Sequence, residues 1–86
     1  MNLNDFRLQL DYPCLWTYTV IGSIHDDIRR AIADVIGDAD HSLRFSHNSK
    51  TGRYLSLRLE MVVYNDAQRV GIYQSLSNQR AIKLVL

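Results

Sequence analysis

Eighty-six residues, 47% of them apolar, are enough for one small packed domain and too few for two. Ten basic against nine acidic side chains leave a net charge of +1, without the basic excess of a duplex nucleic-acid binder or any pull toward an acidic membrane. The lone cysteine, Cys14, has no partner for an internal disulfide, and the longest apolar run, Met61-Val62-Val63-Tyr64, is far below the roughly 18 residues of a membrane-spanning helix. A cytoplasmic protein without a secretion signal is the expectation.

Residues 1–12 are polar, with Phe6, Leu8, Leu10 and Tyr12 scattered among them, and read as an irregular N-terminal arm. Pro13 closes the arm and biases Tyr12 toward extended geometry. Residues 13–86 then form the single domain. Over 15–21, Trp16, Tyr18 and Val20 alternate with Thr17 and Thr19, the period of a strand wet on one side, and Gly22 stops it. Ser23 has N-cap chemistry, with Asp26 three residues on as capping-box partner. Ile24, Ile28, Ile32, Val35 and Ile36 make one helical stripe. Asp26 and Asp27 suit the helix start, Asp26–Arg30 and Arg30–Asp34 are spaced for ion pairs, and Gly37 follows as a stop.

Residues 41–47 alternate again, with Leu43 and Phe45 on one side. Residues 48–52, Asn-Ser-Lys-Thr-Gly, are turn chemistry, so a hairpin leads into a long strand carrying Leu55, Leu57, Leu59 and Met61. Asn65 caps a second helix with Gln68 as its reciprocal partner. Ile72, Tyr73 and Leu76, helped by Val70, form its apolar face. Arg69 falls inside that stripe and is expected to lay its stem over apolar surface with the guanidinium outside. Gly71 costs about 1 kcal/mol relative to alanine, which a close approach to the sheet would explain. Residues 81–86 read as a last strand, Ile82, Leu84 and Leu86 facing one way and Lys83 and Val85 the other.

Four half-wet strands and two amphipathic helices in the order β-α-β-β-α-β have one economical arrangement. Both helices cover one face of a four-stranded antiparallel sheet, an α+β, ferredoxin-like fold with the first and third strands central. The predicted core is Trp16, Tyr18, Val20, Ile28, Ile32, Val35, Leu43, Phe45, Leu55, Leu57, Leu59, Tyr73, Leu76, Ile82 and Leu84.

Tyr12-Pro13-Cys14 before a strand that closes with Val20-Ile21-Gly22 resembles the start of the YbeD-like family of bacterial proteins. Ser49-Lys50-Thr51-Gly52-Arg53-Tyr54-Leu55-Ser56 is similar to that family's hairpin. Ile72-Tyr73 with Leu76, and the ending Lys83-Leu84-Val85-Leu86, look like its second helix and last strand. The resemblance spans residues 12–86. It implies a ferredoxin-like fold similar to the ACT regulatory domains, no established activity or catalytic residues, and a gene neighbourhood that points toward lipoate biosynthesis. Arg69 and Gly71 depart from the pattern.

No catalytic constellation stands out. Cys14 has no nearby cation in sequence to activate it and suits a half-buried apolar position. His25, His41 and His47 fall short of a metal site, although the spacing of His41 and His47 puts both on one strand face. No cofactor or metal is expected, and no enzyme, because nucleophile elbow, phosphate loop and paired carboxylates are all missing. The face opposite the helices carries Thr17, Thr19, Arg44, Ser46, Tyr54, Ser56, Arg58, Glu60 and Lys83. Of these, Thr17, Thr19, Arg44, Tyr54, Arg58 and Lys83 are candidates for contact with a partner.

Three roles follow. One is a regulatory or protein-interaction module with a protein partner, a homodimer being one form. Another is an ACT-like small-molecule sensor at Gly22 and Ser23, where backbone N–H groups at a helix start can meet a carboxylate. The simpler reading of Gly22 is a turn closed to other residues. The third role, single-stranded RNA binding, is disfavoured, because only Tyr54 offers a stacking platform on the open face. No membrane role is expected.

Overall fold

The computed structural model describes residues 10–86. Its elements are β1 (Cys14–Gly22), α1 (His25–Ile36), β2 (Ser42–Asn48), β3 (Leu55–Val63), α2 (Asp66–Ser77) and β4 (Ile82–Val85). The strands form one antiparallel sheet in the order β2-β3-β1-β4, with β1 and β3 central as the connections require. This is the ferredoxin-like arrangement. Of the expected N-terminal arm, the stretch before residue 10 lies outside the described residues.

β1 and β3 are in unbroken register, from Cys14 opposite Val63 to Gly22 opposite Leu55. Their inward positions meet α1 and α2. Tyr18, Val20, Leu57, Leu59, Met61 and Val63 are buried with Ile28, Ala31 and Ile32 of α1, Leu76 of α2, and Ile82 and Val85 of β4. Each large apolar side chain withdrawn from water in this way contributes roughly 1.5–3 kcal/mol.

α1 begins one residue later than the capping pattern predicts. Ile24 is the N-cap and makes no side-chain cap bond, so Ser23 is an exposed turn residue and Ile24 lies outside the stripe. The Asp26–Arg30 and Arg30–Asp34 pairs do not form among the described residues. Gly37 ends the helix as expected, at φ 58°, with its N–H donated to the Ala33 carbonyl. At α2 the Asn65 cap forms, and the return bond from Gln68 reaches one residue before the N-cap. Asn65 Oδ1 accepts from the Gln68 N–H at 2.7 Å, and Gln68 Oε1 accepts from the Tyr64 N–H at 2.8 Å.

Two bulges change which way side chains point. In β2 the register slips between Phe45 and His47, so Ser46 is the extra residue. The slip sends His47 to the open face, while His41 shares a groove with Arg29, Ile32 and Leu43 on the helix side, so the two histidines do not share a face. In β4 Leu84 pairs with Ile21 but Ile82 pairs with Gly22, leaving Lys83 unpaired between them. Ile82 and Val85 therefore both point inward, and Leu84 joins the open face instead of the predicted core. Phe45 and Tyr73 also leave the predicted core. Phe45 sits on the edge strand beyond Leu43, the residue that α1 reaches. Tyr73 lies where α2 overhangs the sheet past the end of short β4.

Gly22 and Gly71 exchange the explanations expected of them. Gly22 is buried, and a Cβ there would lie 2.5 Å from the Ala81 carbonyl oxygen and 2.7 Å from Ile28 Cγ1. Its φ is not in the left-handed region, so close packing and not turn geometry demands glycine. A Cβ at Gly71 meets nothing within 4 Å, so that glycine serves no close approach.

Candidate functional site

Three surfaces carry the residues of interest. The first is the face of the sheet turned away from the helices. Thr17 lies opposite Glu60, Thr19 opposite Arg58, and Arg44 opposite Arg58 across β2 and β3. Two arginines directly opposite each other repel. Glu60 relieves this by accepting from Arg44 Nη2 at 2.7 Å. Arg44 is largely exposed and Glu60 half-buried, and the pair stabilises the fold by about 1 kcal/mol. Its effect is that, among the described residues, Arg58 has no acidic partner in the middle of the face.

Apolar groups bracket that polar band. Leu15 lies opposite Val62 at one end. At the other end Ile21 pairs with Leu84, and Tyr54, Leu55, His47 and Leu86 line a hollow beside Thr19. The β4 bulge brings Leu84 here, and the Leu86 exchange with Thr19 brings Leu86. The face is thus more apolar than the sequence pattern indicates.

Lys83 does not belong to this group. As the extra residue of the bulge it lines a different hollow, with Ser23, Ile24, Asp27, Arg80 and Ala81, at the start of α1. That second surface encloses about 180 Å³, below the roughly 300 Å³ at which small-molecule pockets begin. Gly22 does not line it, and the space over its Cα is taken by Ile28 and Ala81.

The third surface escaped the sequence reading. Arg69 does not extend its guanidinium into solvent. Its guanidinium carbon lies 5.0 Å from the centre of the Trp16 ring, and Nε–H donates to the Tyr12 hydroxyl at 3.1 Å. The Tyr12 hydroxyl donates to Asp66 Oδ1, which also lies 3.6 Å from Arg69 Nη2. The hydrogen bond to Tyr12, above all, holds the Arg69 pKa above its usual value, and the loss of hydration raises that of Tyr12, helped by the bond to Asp66. Beneath this cluster, buried Tyr18 donates to the Arg69 carbonyl at 2.7 Å, and desolvation pushes its phenol up to about 12. An arginine in an apolar stripe signals an unseen partner, but Tyr12 is 57 residues away and the pairing is not visible locally.

Trp16, Arg69, Val70, Tyr73 and Leu86 line a cavity of about 270 Å³ between α2 and the edge of β1. Among the described residues, no three His, Cys, Asp or Glu side chains converge as metal ligands, and no helix is long and apolar enough to cross a membrane.

Residues 8–86 match the family described as "Protein of unknown function (DUF493)". The chain belongs to the DUF493 family. Among its relatives, the uncharacterized protein Cj0253 of Campylobacter jejuni is 28% identical over 78 residues, covering 88% of this chain and 90% of its own. A UPF0250 protein of Buchnera aphidicola subsp. Baizongia pistaciae is 29% identical with both chains fully covered. The solution structure of HP0495 from Helicobacter pylori superposes with a TM-score of 0.80 at 26% identity, over 100% of this chain and 94% of that one. The ACT domain of the GTP pyrophosphokinase of Chlorobium tepidum gives 0.62 at 19% identity, over 86% and 96%. At that identity the likeness speaks to the fold alone. The DUF493 match agrees with the YbeD-like resemblance of the sequence, and none of these relatives points to a catalytic family.

Proposed function

We propose that the protein is a non-catalytic, cytoplasmic regulatory or protein-interaction module that works by holding a protein partner against the open face of its sheet. One observation carries this reading. Leu15, Leu84 and Leu86 are 63%, 50% and 68% exposed, on the face of the sheet opposite α1 and α2. A short chain that leaves its leucines in water on a single face has a surface suited to a partner. The polar band between the apolar ends, with Arg58 beside the Arg44–Glu60 pair, would set the orientation of what docks.

A second copy is one form such a partner can take. Apolar ends flanking a band that holds Glu60 and Arg58 are self-complementary about a two-fold axis through its middle. The test is a photo-crosslinking amino acid at Thr17, on the face, compared with one at Ala33, on the exposed side of α1. Adducts from position 17 alone, abolished by Leu15→Ser with Leu84→Ser, are the expected result. Equal adducts from both positions, or none from position 17, would overturn the reading. Sedimentation of the full chain separates a second copy from a different protein.

The sensor reading has one observation in its favour. Arg80 and Lys83 stand beside Ser23 at the small hollow, two cations against the one carboxylate of Asp27, which favours an anionic group. A thermal-shift panel of amino acids and related metabolites tests it, because a ligand of the folded state alone raises the melting temperature. A flat panel would dismiss it. For RNA, Tyr54 and the His47 ring are the stacking surfaces among the described residues that line the face hollow. Salt-dependent retention on single-stranded RNA, lost in Tyr54→Ala and in Arg58→Ala, would be required.

A further inference from the structure

The edge of β1 is only half covered. β4 spans four residues and pairs with the far end of β1, from Val20 to Gly22. The last rung is the exchange between Thr19 and Leu86, N–H to carbonyl in both directions, at 2.9 and 2.8 Å. On its other side β1 is paired with β3 along its whole length and without a bulge. Peptide groups along such a strand face its two neighbours in strict alternation. Thr19 faces β4, so Tyr18 and Trp16 face β3, and Thr17 and Leu15 turn back to the β4 side. Among the described residues no strand lies there to meet them. Each presents one N–H and one carbonyl to this edge, where no described residue accepts or donates a backbone bond.

The space beside this edge already has a wall. A neighbouring strand lies about 4.8 Å away, and in that position is the cavity of about 270 Å³ lined by Trp16, Thr17, Tyr18, Arg69, Val70, Tyr73 and Leu86. It adjoins Leu86, next to the Thr19–Leu86 rung. On the helix side it is bounded by Val70 and Tyr73, both exposed large apolar residues, and by the half-buried Trp16 ring under Arg69.

We propose that this edge binds an extended segment of a partner protein, added antiparallel to β1 as a short fifth strand in line with β4. Thr17 and then Leu15 supply the rungs. Residues of the segment that point toward α2 meet Trp16, Val70 and Tyr73 and are aromatic or branched apolar. The alternate residues lie beside Thr17 on the open face and are polar. A basic residue at the helix-facing position is disfavoured, because Arg69 already occupies the Trp16 ring. The edge of a second copy does not fit. Pairing β1 with another β1 sets the strands about 4.8 Å apart, with both α2 helices on the same side of the joined sheet. Packed helices need 8–10 Å between axes, and α2 already overhangs the gap. The proposal concerns the edge and does not depend on what docks on the open face.

The test selects random heptapeptides on the immobilised full-length protein and follows the best binder by amide hydrogen exchange and chemical shift. Thr17 and Leu15 amides should exchange freely in the protein alone and slow at least tenfold with peptide. Selected sequences should alternate apolar and polar residues. Val70→Glu and Tyr73→Glu, both at exposed positions, should each weaken binding at least tenfold while the fold is retained. Three results overturn the proposal: Thr17 and Leu15 amides already protected in the free protein, no peptide selected, or binding indifferent to both variants. A peptide whose shifts fall on Ser56, His47 and Leu84 also overturns it, and supports the open-face reading instead.

Discussion

Gly22→Ala separates two accounts of the loop between β1 and α1. The added methyl would sit 2.5 Å from the Ala81 carbonyl oxygen, 2.7 Å from Ile28 Cγ1 and 2.8 Å from Ile28 Cδ1. Ile28 is fully buried and cannot swing aside, and the Ala81 oxygen belongs to the backbone that leads into β4. Overpacking a filled core costs typically 1–3 kcal/mol, and a backbone obstacle puts this case at about 3 kcal/mol. A domain of this size has roughly 4–13 kcal/mol of stability in all, so the variant loses a large share of it. The melting temperature should fall by roughly 10–25 °C. Urea unfolding followed by far-UV circular dichroism is the assay, with the midpoint falling and the slope unchanged. If the glycine instead serves to let a small ligand near the backbone, alanine would leave stability almost untouched and abolish ligand shifts. A change of less than about 0.5 kcal/mol, the usual scatter of harmless surface substitutions, would refute the packing argument.

Gly71→Ala should act in the opposite direction, raising stability by about 0.5–1 kcal/mol in the same unfolding assay, because its methyl meets open space within a helix. Asn65→Ala should cost about 1 kcal/mol by removing the acceptor for the Gln68 N–H at the start of α2. Tyr18 predicts an alkaline signature. Its folded pKa of about 12 lies above the ordinary 10.0, so its contribution is whole below pH 10 and is lost as the pH climbs toward 12. Among the five tyrosines, ultraviolet titration should show Tyr12 and Tyr18 ionising above the ordinary value, with a late step near pH 12 from Tyr18. Tyr18→Phe should remove that late step and cost about 1 kcal/mol with the hydrogen bond to the Arg69 carbonyl.

The element order, the central positions of β1 and β3 and most of the core were legible because they rest on local period and chain connectivity. The alternation through Trp16, Tyr18 and Val20, and through Leu57, Leu59 and Met61, survives intact, since β1 and β3 hold each other in register along their whole length. What failed lies at the edges. A bulge inserts one residue and reverses every side chain beyond it. Ser46 and Lys83 carry no local mark of it, because the slip belongs to the pairing and not to the strand's own sequence. That single reversal moved Leu84 from the expected core to the surface and Lys83 to the hollow beside Ser23. The Tyr12–Asp66–Arg69 cluster was hidden for a related reason. An arginine in an apolar stripe is visible in sequence, but the tyrosine that receives it is fixed only once β1 and α2 have packed.

Of the large apolar side chains left in water, Leu15, Val62, Leu84 and Leu86 collect on the open face and Val70 and Tyr73 at the bare edge of β1. Leu86 borders both, lining the edge cavity and the hollow beside Thr19 and Tyr54. A strand entering along the edge therefore comes into contact with the residue that bounds the face, and one partner can engage both surfaces at once. Leu86→Ser discriminates this from two separate partners. Its backbone bonds to Thr19 remain and its side chain is mostly in water, so stability should change by less than about 0.5 kcal/mol. For a shared partner, edge protection at Thr17 and crosslinking from the open face should weaken together by the same factor. Loss of one with the other intact would assign the two surfaces to different occupants.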